Sequence, residues 1–178
     1  MNTTLKTQTS VSGSPGYRGL VNLWLTLFAI WLLANSSLSR DVILTGLLIV
    51  TVLTLALSSF ARTYADIRLS PRALLYYFLY FGAFLLELLK ANLNLLRIVF
   101  SPKINIRPGI VKIKTRLKTA TGRMVLANSI TLTPGTLVVD VDGDTLYVHW
   151  IDVTAEDPEE ATRRIAAKFE KYLEVIYG

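Results

Sequence analysis

Two uncharged stretches limit what this chain can become. Gly19–Ser39 and Val42–Ala61 carry no Asp, Glu, Lys or Arg, and only Arg40 and Asp41 separate them. About 20 helical residues cross a hydrocarbon core of roughly 30 Å, so each stretch is long enough to span a bilayer. Spans at about 19–39 and 42–61 are therefore expected. The polar connection Asn35–Asp41 has no net charge, whereas Arg62–Arg72 sets three arginines against Asp66. The positive-inside bias places both ends of this hairpin in the cytoplasm.

A cleavable signal sequence would also begin with an apolar run. The polar lead, Trp24 and Trp31, and the second run that follows at once favour retention of the first. Residues 1–17, rich in Ser, Thr and Gly, read as a disordered tail. With 52% apolar residues and no cysteine, the chain departs from a soluble globule and from disulfide or thiolate chemistry. Its net charge of +6 gathers beside the apolar runs with no aromatic-interleaved basic face, so membrane orientation explains it and nucleic acid is not an expected partner.

A third apolar stretch, Ala73–Leu86, contains 14 uncharged residues, short for an independent span. Glu87, Lys90, Asn94 and Arg97 follow at offsets of three and four, a polar stripe along a continuing helix of about 72–100. Were this helix to cross the membrane, Lys103–Arg123, with seven basic residues and no acid, would land outside. A helix in or dipping into the cytoplasmic leaflet is favoured over a full third span. The membrane region thus covers residues 18–101, and Pro102, Pro108 and Gly109 open a second domain over 102–178.

That domain reads as β-α-β-β-α. Lys112, Lys114, Arg116 and Lys118 alternate with Val111, Ile113, Thr115 and Leu117, a strand with one basic face suited to lipid headgroups, a partner protein or water. A short helix over Thr121–Thr131 precedes Pro134-Gly135, which suits the centre of a type II turn. An Asp142-Gly143 turn then joins two strands, pairing Val139 with Leu146 and Leu137 with Val148 on one face. Asp157-Pro158-Glu159-Glu160 is an N-terminal helix signature for a single closing helix, Pro158–Tyr177.

Chemistry is sparse. Glu87 and Lys90 are ionisable groups at apparent membrane depth, where proton relays are found, but three residues apart they also suit a mutual ion pair. His149 stands alone, and Asp142-Gly143-Asp144 lacks the rest of a calcium loop. No catalytic set, cofactor motif or metal site is expected.

Two stretches, Ser101–Gly109 (SPKINIRPG) and Ala127–Thr136 (ANSITLTPGT), resemble the E subunit of the multisubunit Na+/H+ antiporters called Mrp, Mnh or Pha. Most of residues 19–177 shares the likeness, and the longer N-terminal lead departs from it. The resemblance marks Pro102, Arg107, Pro108, Gly109, Asn128, Thr131, Thr133, Pro134 and Gly135 as motif or interface residues. It implies an accessory subunit of a complex that exchanges Na+ or K+ for protons at a bacterial inner membrane. Such a protein is multi-pass, carries a cytoplasmic C-terminal domain, and has the other subunits and membrane lipid as partners. Residues alone also suit a free-standing membrane-anchored regulatory or lipid-binding module.

Overall fold

The computed structural model describes residues 16–103 and 106–178, in two compact units divided between Ala65 and Asp66. The tail expected over 1–17 lies, up to residue 15, outside the described residues, as do Ile104 and Asn105 of the first motif.

The first unit is helical. α1 (Tyr17–Asn35) stops where Ser36 adopts a left-handed conformation and returns its N–H to the Leu32 and Leu33 carbonyls. α2 (Arg40–Ala56) starts at Ser39, whose hydroxyl accepts from the Val42 N–H. Trp31 donates from Nε1 to the Val42 carbonyl at 2.9 Å, and Trp24 to Thr51 at 3.1 Å. Both apolar runs therefore form helices, with corrected limits. The second run bends at a 3-10 turn, Ser58–Phe60, and returns as α3 (Ala61–Ala65) onto α1. Asn22 donates to the Tyr64 carbonyl at 2.9 Å, and a β-carbon added to Gly19 would stand 2.1 Å from the Ala61 carbonyl oxygen. The return of α3 leaves α2 with 17 residues, about 25 Å of helix. Among the described residues, the helices long and apolar enough to cross a membrane are α1 and α4 (Pro71–Val99).

The second unit joins α4 to a three-stranded antiparallel sheet of order β1-β3-β2, with β1 Gly109–Lys114, β2 Thr136–Asp142 and β3 Thr145–Trp150. α5 (Ala120–Leu132), α6 (Pro158–Ile165) and α7 (Ala167–Tyr177) complete it. Ser70 caps α4 by accepting from the Ala73 N–H, with Pro71 in its first turn. The core holds Ile113, Leu126, Ile130, Leu146, Val148, Phe169, Leu173 and Ile176, all fully buried. Burying a side chain the size of Phe169 stabilises by about 1.5–3 kcal/mol.

α7 and the core around it place α4 within the second unit. Tyr76, Tyr77, Tyr80 and Phe84 pack against its core, and ring pairs Tyr76–Tyr172, Tyr77–Tyr177 and Phe84–Phe169 stand 6.2–6.4 Å apart. Their spacing of three and four is a helical stripe that meets α7.

Three expectations change. β1 ends at Lys114, because the Thr115 N–H turns to the Asp144 carbonyl and its hydroxyl to the buried Glu170 carboxylate. Lys112 and Lys114 therefore lie on the exposed strand face, while Arg116 leaves it to pair with Glu170 and Glu174.

The hairpin register also shifts. The two-residue turn is Gly143-Asp144, with Gly143 at φ +58°, and a bulge at Val139 pairs Val138 with Val148 and Leu137 with His149. Val139 thus faces outward and Val138 faces the core, the reverse of the sequence pairing.

The closing helix divides at Ala166, fully buried, whose carbonyl accepts from both Phe169 and Glu170 amides. Asp157 caps α6 as its sequence implies, accepting from the Glu160 N–H at 2.7 Å.

Candidate functional site

Both motif stretches act on one short segment of chain. Pro134 and Gly135 form the centre of a turn closed by the Thr136 N–H to Thr133 carbonyl bond, with Gly135 at φ +95°, the type II geometry its sequence implies. The Gly135 carbonyl then accepts from the Ile151 N–H at 2.9 Å. From the opposite side Gly109 pairs with Trp150, the Arg107 carbonyl accepts from the Val153 N–H at 2.8 Å, and the Arg107 N–H donates to Asp152. Trp150–Val153 is thus held on both edges by the residues that carry the family likeness.

The second motif is also saturated with side-chain bonds. Ser129 donates to the Val125 carbonyl, which leaves its oxygen to accept from the Tyr80 hydroxyl of α4. Thr133 donates to the Ser129 carbonyl, Thr136 to the Ile130 carbonyl, and Thr131 accepts from the Val138 N–H. Asn128 faces solvent. These bonds turn the α5 C-terminus sharply into β2. Gly135→Val places a β-branched side chain at positive φ and 3.1 Å from the Ile151 methyl, and is expected to cost about 1–3 kcal/mol in thermal or denaturant unfolding.

Beside this turn lies a cleft of about 240 Å³. Glu87, Lys90 and Asn94 form one wall, Thr133, Pro134 and Thr136 another, and Arg164 and Lys168 the third. Glu87 bonds Lys90 at 2.7 Å through one oxygen and Lys168 at 3.0 Å through the other. Lys168, 81 residues further along the chain, had no signal near Glu87 in the sequence. A basic rhythm at Arg164, Lys168 and Lys171 on the closing segment was the available hint. Arg164 pairs with Glu160 at 2.7 Å and bonds Thr154.

The Glu156 N–H and then the Arg164 guanidinium hold the Glu160 carboxyl below its ordinary range. Its contribution to α6 is therefore present above the usual carboxylate pKa and fades as pH falls through the depressed one. Arg97 points elsewhere, to a shallow pocket with Ser101 and Lys103, and Pro102 is exposed at the α4 exit. His149 is exposed on the outer sheet face.

Every cation named at the cleft has an acidic partner, so the site is a knitted joint between α4 and α7. The chain thus combines an apolar helical hairpin with a long helix joined to an α+β layer. Residues 24–176 match the family described as Na+/H+ ion antiporter subunit, so the chain belongs to that family of antiporter E subunits.

The E subunit of the Na+/H+ antiporter of Bacillus subtilis is 44% identical over 95 residues, covering 52% of this chain and 59% of that protein. Its counterpart in Alkalihalophilus pseudofirmus is 46% identical over 90 residues, covering 49% and 56%. The chain therefore spans less than two thirds of the length of these relatives. A chain in the structure of the membrane-bound sulfane sulfur reductase, an archaeal respiratory membrane complex, is 40% identical with a TM-score of 0.78. That match covers 90% of this chain and 99% of the other.

Proposed function

We propose that this protein is the accessory E subunit of a multisubunit monovalent cation/proton antiporter, supporting assembly or stability of the complex and leaving ion passage to other subunits. The observation that carries this reading is the double pairing of Glu87 with Lys90 and Lys168. A relay carboxylate must exchange its proton with a neighbouring carrier. Glu87 is fastened between two ammonium groups, one from each helix of a packed joint, and among the described residues no second carboxylate or histidine lines the cleft to carry its proton on.

The apolar hairpin anchors the chain in the cell membrane, and the α+β unit shares the cytoplasmic side of that membrane with the Arg-rich Arg62–Arg72 connection. With no native cysteine, a cysteine at position 37 is expected to react with an impermeant label from outside and one at 145 to stay protected. The reverse pattern overturns this topology.

Glu87→Gln keeps size and part of the hydrogen bonding while removing the charge and the proton. Vesicles matched for complex content should retain most cation/proton exchange with Glu87→Gln, whereas Glu87→Leu should lower complex yield. Full assembly of the glutamine variant without exchange would place Glu87 in the transport path.

The likeness to the sulfane sulfur reductase chain favours a second host, a respiratory membrane complex that uses the same kind of component. Copurification in mild detergent separates the two: antiporter subunits alone support the first, redox subunits the second. Recovery of the chain free of any partner supports a free-standing module.

A further inference from the structure

α4 meets the length and composition of a membrane span, yet one of its faces is covered by the α+β unit. Its buried or half-buried positions, from Ala73 through Tyr76, Tyr77, Tyr80, Phe84 and Glu87 to Leu88, Ala91, Leu95 and Ile98, fall on a single stripe, and Tyr76, Tyr77, Tyr80 and Phe84 on it pack against the α+β core. A span needs about 20 residues in hydrocarbon, and the covered part alone is nearly that long. Its cover brings Lys168 and the α5–β2 turn against the helix, charged and irregular backbone that hydrocarbon does not accept.

The opposite face is apolar and open along the full helix, with Phe78 at 69%, Leu89 at 58% and Leu96 at 48% exposure. Eighteen residues make five helical turns, so Arg72 and Lys90 share one azimuth and Arg97 falls within about 20° of it. The three form a cationic row along one border between the open apolar face and the covered stripe. An apolar face edged by Arg and Lys, on a helix about 43 Å long, complements an anionic lipid surface.

We infer that α4 lies in the plane of the membrane, with Phe78, Leu89 and Leu96 in the acyl boundary of one leaflet and Arg72, Lys90 and Arg97 at its phosphates. The inference requires the membrane attachment proposed above but not the antiporter assembly, so the two fail separately. Lipid is its one occupant; a protein partner on this face is the competing outcome.

The test uses the full chain in phosphatidylglycerol-containing vesicles. Single cysteines at Phe78, Leu89 and Leu96, all exposed and therefore neutral to folding, carry an environment-sensitive fluorophore. Lipids brominated near the headgroup or at the chain terminus report depth. An in-plane helix puts all three positions at one depth, about 5–10 Å below the interface, with headgroup-end bromine the stronger quencher at each.

Phe78 and Leu96 lie about 27 Å apart along the axis, so a spanning helix would carry them to opposite leaflets with Leu89 the deeper. That graded pattern, or the absence of quenching at all three, overturns the inference. Replacing phosphatidylglycerol by phosphatidylcholine should weaken quenching at Leu89, and equal quenching removes the role given to the cationic row. In native membranes a photo-crosslinker at Leu89 should capture lipid; capture of another polypeptide overturns lipid as the occupant.

Discussion

Glu170→Ala is expected to lower the stability of the second unit by about 3 kcal/mol, a large fraction of what holds a domain of this size together. Glu170 is only 2% exposed. Its carboxylate accepts from the Thr115 hydroxyl and from the Arg116 N–H at 2.7 Å, and it forms an ion pair with the Arg116 guanidinium at 3.5 Å. Those bonds end β1 and turn the chain inward, so that Leu117 enters the core.

Removing the carboxylate strands a buried hydroxyl and a backbone amide, whose desolvation is then uncompensated. Glu170→Gln keeps an acceptor oxygen and should lose roughly half as much. Chemical denaturation of the full chain, followed by a probe in the sheet, gives both values. A loss below about 1 kcal/mol for the alanine variant would mean that water replaces the carboxylate and that the turn is held by other contacts.

The second large effect carries an unusual sign. Gly19→Ala in the first turn of α1 would ordinarily stabilise, by at most about 1 kcal/mol, since alanine is the better helix former. Here the added β-carbon would lie 2.1 Å from the Ala61 carbonyl oxygen, a backbone atom with no rotamer to move. A loss of about 3 kcal/mol is expected, because α3 must separate from α1 and release the Asn22 bond to Tyr64. Thermal unfolding in mild detergent, read from Trp24 and Trp31, measures it. A stabilised variant would show that the contact between α1 and α3 is loose.

The elements most legible in the sequence were those written in local chemistry. Pro134-Gly135 dictated a turn and Gly135 took positive φ there. Asp157-Pro158 dictated a helix start, and the apolar runs before Pro102 dictated helices. What escaped depended on partners far along the chain. The bend after Ala56 answers to Gly19 and Asn22, which a hydropathy profile of 42–61 does not contain.

The bulge at Val139 likewise follows from Gly143 taking the first loop position and from Thr115 claiming the Asp144 carbonyl. Strand alternation alone is blind to both. In the cleft, Glu87 and Lys90 were visible as a pair, while Lys168 was hidden by its distance in sequence. The two motif stretches were visible as likeness to a family. Their common grip on Trp150–Val153 becomes evident only once β3 lies between β1 and β2.

The joint between α4 and α7 also sets a schedule for synthesis. Glu87 and Lys168 are 81 residues apart, an interval the ribosome takes about 4–16 s to cover. Through that interval Tyr76, Tyr77, Tyr80 and Phe84 have no α7 to cover them, and the 29-residue helix offers apolar surface on almost every side. On the membrane attachment proposed above, the insertion machinery meets a segment that resembles a membrane span for several seconds before α7 arrives to cover one of its faces. The depth proposed for α4 would then be a race between bilayer and α7, which slower translation after residue 100 would tilt towards the bilayer.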